Sequence, residues 1–275
     1  MLTTVLYKLR YTVLGLAMLL SVSATSHAHE FWLEPLSFKI EQGANIQANI
    51  KVGQGLEGDT YAFFPANFER FDLSVNDTTR PLKNRFAQKP AVDQMTKAEG
   101  LHVLTYQSRP SKLRYEKRET FEKFLHAEGL EWVLEAHKKR GLPELDFLEL
   151  FKRFAKSLVK VGSGQGEDRL MGMPFEWLIL TNPYTDSSIN KVSAQLFFEG
   201  KAFPGSTVNV FIQREGKISK LQLKTDSEGK VDVPVTEGGL FLVNAVHMVK
   251  PSKGLVAATG AAWMSLWAST TFAID

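Results

Sequence analysis

The chain has 275 residues, of which 33 are basic and 30 acidic, a net charge of +3 and no cysteine. Without cysteine there is no thiol nucleophile, no thiolate metal site and no disulfide, so the fold must rest on its own apolar core. The near-even charge balance argues against nucleic acid or an anionic membrane as a partner.

Residues 1–28 have the three parts of a secretion signal. Lys8 and Arg10 give a positive start, residues 11–22 are apolar, and small residues follow up to Ala28. This apolar run is shorter than the ~20 residues that a membrane-spanning helix needs, which favours a cleaved leader over a membrane anchor. We therefore predict an exported, periplasmic protein.

Two cleavage points fit the leader. A cut after Ala28 makes His29 the first residue and leaves a net charge of +1, because Lys8 and Arg10 are lost. A cut after Ala24 puts His27 third, where the amine, two amide nitrogens and the imidazole can hold copper or nickel in a plane. The first cut fits the downstream residues better, because a strand-like segment begins at Phe31.

Residues 29–188 are predicted to form an N-terminal β-sandwich. Short segments alternate apolar and polar residues, the period-two pattern of half-buried strands: 38–40, 46–52, 71–75 and 101–106. Polar turns separate these segments, as in an antiparallel sandwich. A further strand is predicted over 175–180.

A helical insertion is predicted within this module, at about 113–162. Thr120 is a possible helix cap. Phe147, Phe151, Phe154 and Leu158 follow one another at steps of four, three and four, which is typical of one buried helix face.

Residues 189–275 are predicted to form an immunoglobulin-like β-sandwich. Seven short strands with turn residues between them fit in this length. The predicted fold class is mainly β, with two β-sandwich modules and the helical insertion on the first.

Signatures of common enzyme classes are absent from the sequence. There is no phosphate-binding glycine loop and no Gly-x-Ser-x-Gly nucleophile motif. We therefore do not expect an enzyme.

Histidine is the remaining source of site chemistry. An N-terminal His29 offers its α-amine and its ring nitrogen, which lose their protons near neutral pH and can chelate one metal ion. His247, near the end of a long predicted strand, is the best candidate for a second imidazole. Glu30 is a candidate oxygen ligand or hydrogen-bond acceptor beside them. The competing interpretations are an accidental terminal histidine, a structural strand-end histidine and a solvated carboxylate.

The other candidate residues are expected to be structural. His102, His126 and His137 are predicted to face water. Trp263 and Trp267 are predicted to be core residues and not a sugar-binding platform.

The segment Ala28-His29-Glu30-Phe31-Trp32-Leu33-Glu34-Pro35 after a leader resembles the start of the DUF4198 family. The resemblance continues through the segments 121–130, 153–162, 174–177, 200–205, 225–229 and 238–247. It implies an exported β-sandwich protein of Gram-negative bacteria, and some such proteins accompany nickel or cobalt uptake systems. It also implies that His29 and His247 are the family's N-terminal and late-strand histidines and share a metal site.

Three functions remain as hypotheses. The leading one is a periplasmic binding protein for a divalent transition metal ion (nickel, cobalt or copper) that serves an inner- or outer-membrane uptake system. The alternative is a non-catalytic adhesion or scaffold protein with immunoglobulin-like modules. The third is a copper-dependent oxidative enzyme, which has less support because no substrate surface is evident.

Overall fold

The computed structural model describes residues 29–185 and 188–275. The predicted signal peptide and both predicted cleavage points lie outside these described residues. No helix within the two ranges combines the length and hydropathy needed to cross a bilayer.

The described chain is mainly β, as predicted. The first strands are β1 (Glu30–Pro35), β2 (Lys39–Ile40), β3 (Asn45–Gln54), β4 (Glu57–Tyr61), β5 (Phe68–Val75), β6 (Thr78–Pro81), β7 (Val92–Met95), β8 (Gly100–Ser108) and β9 (Ser111–Tyr115). A short 3₁₀ turn at Pro65–Asn67 precedes β5. The next elements are α1 (Arg118–Glu128), α2 (Trp132–Lys139), β10 (Phe147–Val161) and β11 (Phe175–Ile179). The last elements are β12 (Lys191–Phe198), β13 (Lys201–Ala202), β14 (Thr207–Arg214), β15 (Lys217–Lys224), β16 (Lys230–Pro234), β17 (Gly239–Val249), α3 (Lys253–Thr259) and β18 (Ala261–Ile274).

A ten-stranded sheet forms the centre of the molecule. Its main path runs β15-β14-β17-β18-β10-β8-β5-β6, with β2 and β9 also paired to β10. One four-stranded sheet (β1, β3, β4 and β7) covers part of one face, and another (β11, β12, β13 and β16) covers the opposite face. The helices α1 and α2 cover the rest of the first face. The layers are those of a β-sandwich.

The predicted helix face of Phe147, Phe151, Phe154 and Leu158 is wrong, because residues 147–161 form β10, a strand of 15 residues. In a strand, a step of four keeps a side chain on the same face and a step of three moves it to the other. Phe147 and Phe151 therefore pack under the helices, whereas Phe154 and Leu158 pack against the sheet on the opposite face. Because apolar layers cover both faces of β10, its apolar residues do not alternate with a period of two, and their spacing resembles that of a helix.

The helical insertion is consequently shorter than predicted, with α1 and α2 between the strands β9 and β10. The first helix begins at Arg118 after the cap residue Lys117, and not at Thr120.

The ten-stranded sheet takes strands from both sides of the predicted boundary at 188/189. Parallel pairing of β10 with β18 joins the two sides, from Leu148 opposite Ala261 to Ser157 opposite Thr271. The division into two domains stays a prediction, and its two parts are hydrogen-bonded into common sheets.

Candidate functional site

Strand β1 pairs with β3 along one edge. Side chains of the central sheet bond its backbone along the other edge. On β18, Ser269 Oγ donates to the carbonyl of Phe31 and Thr271 Oγ1 to that of Leu33, both at 2.6 Å. Arg153 Nη2 donates to the carbonyl of His29 at 3.1 Å. Because each of these carbonyls is bonded by a side chain of the central sheet, the chain around His29 has a defined position.

A cavity of about 320 Å³ opens where β1 begins, and we call it the N-terminal cavity. It is lined by residues from β1, β3, α1, β14 and β15, namely His29, Glu30, Gln54, Lys123, Phe124, Ala127, Glu128, Phe211 and Lys220. Two of the three residues predicted as metal ligands, His29 and Glu30, therefore line one cavity.

Glu128 is the second carboxylate of this cavity, and sequence analysis missed it. It is the last residue of α1, and Asn209 Nδ2 donates to its Oε2 at 2.9 Å. The helix ends at Gly129 with φ of 66°, and a Cβ there would lie 2.0 Å from Thr207 Oγ1. Only glycine allows this close approach of α1 to β14, which puts the Glu128 carboxylate inside the molecule.

Two acids, Glu30 and Glu128, and two lysines, Lys123 and Lys220, line the cavity. Burial raises the pKa of Glu128 to about 8, and the charge of Glu30 raises it further. Burial also raises the pKa of Glu30, whereas hydrogen bonds from the backbone at Glu30 and Gly55 and the charges of Lys220 and Arg153 lower it. The buried Glu30 Oε2 has no hydrogen-bond partner among the described residues. A positive ion between the two carboxylates would relieve their repulsion and satisfy this oxygen.

His29 lies half-buried and lines the same cavity, next to Glu30 in sequence. Within the described ranges, no three His, Asp or Glu side chains are already arranged to hold a metal ion. Glu34, the other acid beside Trp32, instead accepts a hydrogen bond from the Trp32 indole at 2.8 Å.

The structure does not bring His247 to this cavity, so the predicted pairing of His29 with His247 is wrong. His247 lies on β17 against the rings of Phe198 and Phe203, with centroids at 4.8 and 4.5 Å. Its neighbours at alternate positions, such as Ala245, pack in the core on that face, whereas Leu242 packs on the other face with Phe211 of the N-terminal cavity. Side chains of a strand alternate between faces, so the central sheet separates the two histidines. Burial lowers the pKa of His247 to about 4.

Two further histidine predictions are also wrong. His102 is 2% exposed, and burial lowers its pKa. His137 is 7% exposed, and its Nδ1 accepts a hydrogen bond from the Trp263 indole at 3.0 Å while its Nε2 donates to the carbonyl of Pro143 at 2.9 Å. His126 is exposed on α1, as predicted. Trp263 and Trp267 are buried, also as predicted.

Fold and site together define a mainly β protein of sandwich type with a carboxylate-lined cavity at the start of its first strand. The chain belongs to the DUF4198 family, because residues 26–249 match the model of that family, a domain of unknown function. No curated protein matches the chain.

Two solved structures resemble the chain only weakly. Dimeric latent PorU from Porphyromonas gingivalis is 13% identical over 90% of this chain, with a TM-score of 0.19, and the chain spans 20% of its length. A chimeric titin Z1Z2-Z1Z2 tandem carrying a fibronectin peptide is 11% identical over 88% of this chain and 97% of its own, also with a TM-score of 0.19. Neither likeness bears on function.

Proposed function

We propose that the protein is a periplasmic binding protein for a divalent transition metal ion, which it carries as cargo for a membrane uptake system. The observation that supports this proposal is the shared N-terminal cavity of His29, Glu30 and Glu128. Two carboxylates whose pKa is raised by burial, one of them with an unpartnered oxygen, form an environment that a cation stabilises.

The proposed ligands are the imidazole and α-amine of His29 with the carboxylates of Glu30 and Glu128. The α-amine exists only if the leader is cut after Ala28. Nitrogen donors combined with carboxylates suit nickel, cobalt, copper and zinc, and affinity generally rises from cobalt to nickel to copper. His247 is not a ligand in this proposal. Lys220, which lowers the pKa of both acids, and Lys123, which also lines the cavity, are the competing cations.

Metal binding at these ligands must release protons. The α-amine has an ordinary pKa of ~7.7–8, and the pKa of Glu128 is raised to about 8. Each must lose its proton to bind the ion, so affinity should rise steeply up to about pH 8 and level off above it.

The experiment uses the mature protein purified from periplasm. Intact mass establishes the first residue, and titration with nickel, cobalt, copper and zinc ions measures stoichiometry and affinity. We expect a chain that begins at His29 and binds one ion. A chain that begins elsewhere, or that binds none of the four ions more tightly than about micromolar, contradicts the proposal.

Three variants test the ligand set. His29→Ala and Glu128→Gln should each weaken binding at least tenfold. His247→Phe is the matched control: it removes a half-buried histidine on the opposite face of the sheet, and it should leave the affinity unchanged. Loss of binding in the control but not in His29→Ala would move the site to the other face.

A further inference from the structure

A second cavity, of about 230 Å³, lies on the other side of β1. We call it the aromatic cavity. It is lined by Phe31, Ile50, Val52, Tyr61, Ala62, Phe64, Asn67, Phe68, Tyr106, Ser108, Ser111, Phe151 and Arg153. Six of these residues are aromatic and none is acidic. Tyr61 is 44% exposed, so the cavity meets solvent at this residue.

The only charged group on the wall of this cavity, within the described residues, is the guanidinium of Arg153. It lies over the rings of Phe151 and Phe31, with its Cζ 4.7 and 5.5 Å from their centroids. Its Nη2 donates to the carbonyl of His29, and its buried Nε has no hydrogen-bond partner in the described ranges.

The carboxylate of Glu30, on the opposite face of β1, acts on the charge of Arg153 but does not pair with it. No carboxylate of residues 29–185 or 188–275 forms an ion pair with it, whereas Arg70, Arg114, Arg118, Arg169 and Arg214 each have one. Burial lowers the pKa of Arg153 to about 10, so the group stays positively charged at neutral pH. The guanidinium is partly buried and has no ion-pair partner within the described chain, so an anion in the cavity would offset the cost of its desolvation.

The rest of the lining selects the kind of anion. The Ser108 hydroxyl accepts a hydrogen bond from the backbone N–H of Arg153 at 2.9 Å, so its own proton can be donated to a ligand. Besides Arg153, the polar groups of the wall are Ser108, Ser111, Asn67 and the tyrosine hydroxyls, and the other side chains are apolar. A fully hydrated inorganic anion would lose its water to aromatic rings without replacement. An organic acid instead places its carboxylate at the guanidinium and its apolar body against the rings.

The size of the cavity limits the ligand. At about 230 Å³ it is below the ~300–1,000 Å³ of sites for drug-sized molecules. A single ring with one carboxylate is of the right class, whereas a fatty acid or a peptide is too long.

We propose that the aromatic cavity binds a small aromatic monocarboxylate, with Arg153 as the anion-binding residue. This site is separate from the proposed metal site. His29→Ala leaves the backbone carbonyl that Arg153 contacts, so this variant should bind the acid with unchanged affinity.

The probe is benzoate, measured by calorimetry and by the ligand-induced rise in melting temperature of the mature protein. We expect one benzoate per chain. Benzamide has the same shape without the charge, and acetate has the charge without the ring. Each should bind at least tenfold more weakly than benzoate. Equal binding of benzamide, equal binding of acetate, or no binding of benzoate would each overturn the proposal, and all three measurements use the unaltered protein.

Variants then assign the residue. Arg153→Met removes the charge at similar length and should reduce benzoate affinity at least tenfold, while Arg153→Lys, which keeps the charge but not the planar fork, should lie between. The matched control is Arg140→Met, because Arg140 also stacks on a ring, with its Cζ 4.4 Å from the centroid of Trp263, far from this cavity. Benzoate binding that survives Arg153→Met, or is lost equally in the control, would refute the assignment.

Discussion

The charge state of Glu128 gives the sharpest prediction. Its carboxyl is 6% exposed at the end of α1, and its pKa is raised from 4.5 to about 8, by burial first and by Glu30 second. Glu128→Gln keeps the acceptor that Asn209 contacts but carries no charge at any pH. The substitution therefore removes the ionisation of Glu128 together with its charge coupling to Glu30.

The direction of the effect depends on where the proton is bound. In the unfolded chain Glu128 ionises near its ordinary pKa, whereas in the folded chain it holds its proton up to about pH 8. Its contribution to the stability of the wild type is therefore full below pH 4.5 and is lost progressively as the pH rises to about 8. A pKa shift of about 3.5 units is worth about 5 kcal/mol, at ~1.36 kcal/mol per unit. This is the largest gain in stability that Glu128→Gln can give above pH 8.

The assay is urea unfolding followed by tryptophan fluorescence, from about pH 5 to about pH 9, in metal-free buffer. The quantity of interest is the free energy of unfolding of Glu128→Gln minus that of the wild type. Taking the difference removes the contributions of other buried acids, such as Glu149, whose pKa burial raises to about 7. The matched control is Glu119→Gln, the same substitution at an exposed position of the same helix, which removes no buried carboxyl and should give no comparable gain above pH 8. A Glu128→Gln difference that is flat or falls with rising pH would refute the reasoning.

Three further predictions concern the stability of the fold. Lys156 and Asp168 form a buried ion pair, with side chains 1% and 0% exposed. Lys156→Met should lower the free energy of unfolding in urea by about 3–5 kcal/mol, because it leaves a buried carboxylate unpaired. Lys191→Met removes the partner of Asp232 in an exposed ion pair, and it should lower the free energy of unfolding by less than about 1 kcal/mol. A similar loss of stability in Lys156→Met and Lys191→Met would contradict this prediction. Gly129→Ala should destabilise the protein more than Gly141→Ala. Both glycines have positive φ, but a Cβ meets Thr207 only at Gly129 and nothing within 4 Å at Gly141, so equal melting temperatures would exclude the clash. His247→Phe should remove a loss of stability that the wild type shows as the pH falls from 6.5 to about 4, because the buried ring stays neutral while the unfolded chain takes up a proton. Unfolding curves at several pH values check this, and an unchanged acid dependence in the variant would show that another group is responsible.

The sequence predicted most of the β structure because alternation survives where one face of a strand is covered differently from the other. Strand β3 shows the pattern clearly, with Ile46, Ala48 and Ile50 buried. Strand β10 does not, because both of its faces are covered, and its long run of buried residues had no period from which a strand could be recognised.

The site was only partly predictable for a different reason. His29 and Glu30 are adjacent in sequence, so their common cavity follows from local structure. Glu128 joins them only because α1 docks on β14 through Gly129, a contact between distant segments that leaves no local signal. The separation of His29 from His247 was equally hidden, since it depends on which face of the central sheet each residue meets. His102 was predicted to be exposed because alternation indicates on which face of a strand a side chain lies. It does not indicate whether other residues cover that face.

Both proposed sites depend on the position of one strand. Glu30 and Phe31 are neighbours on β1 and point to opposite faces, so the first lines the N-terminal cavity and the second the aromatic cavity. A slip of one residue would exchange these faces and put a carboxylate beside the rings. Ser269 and Thr271 prevent the slip because each bonds an odd-numbered carbonyl of β1. Arg153 bonds the next odd-numbered carbonyl, that of His29. The residue proposed to bind an organic anion therefore also fixes the backbone of the residue proposed to bind a metal ion.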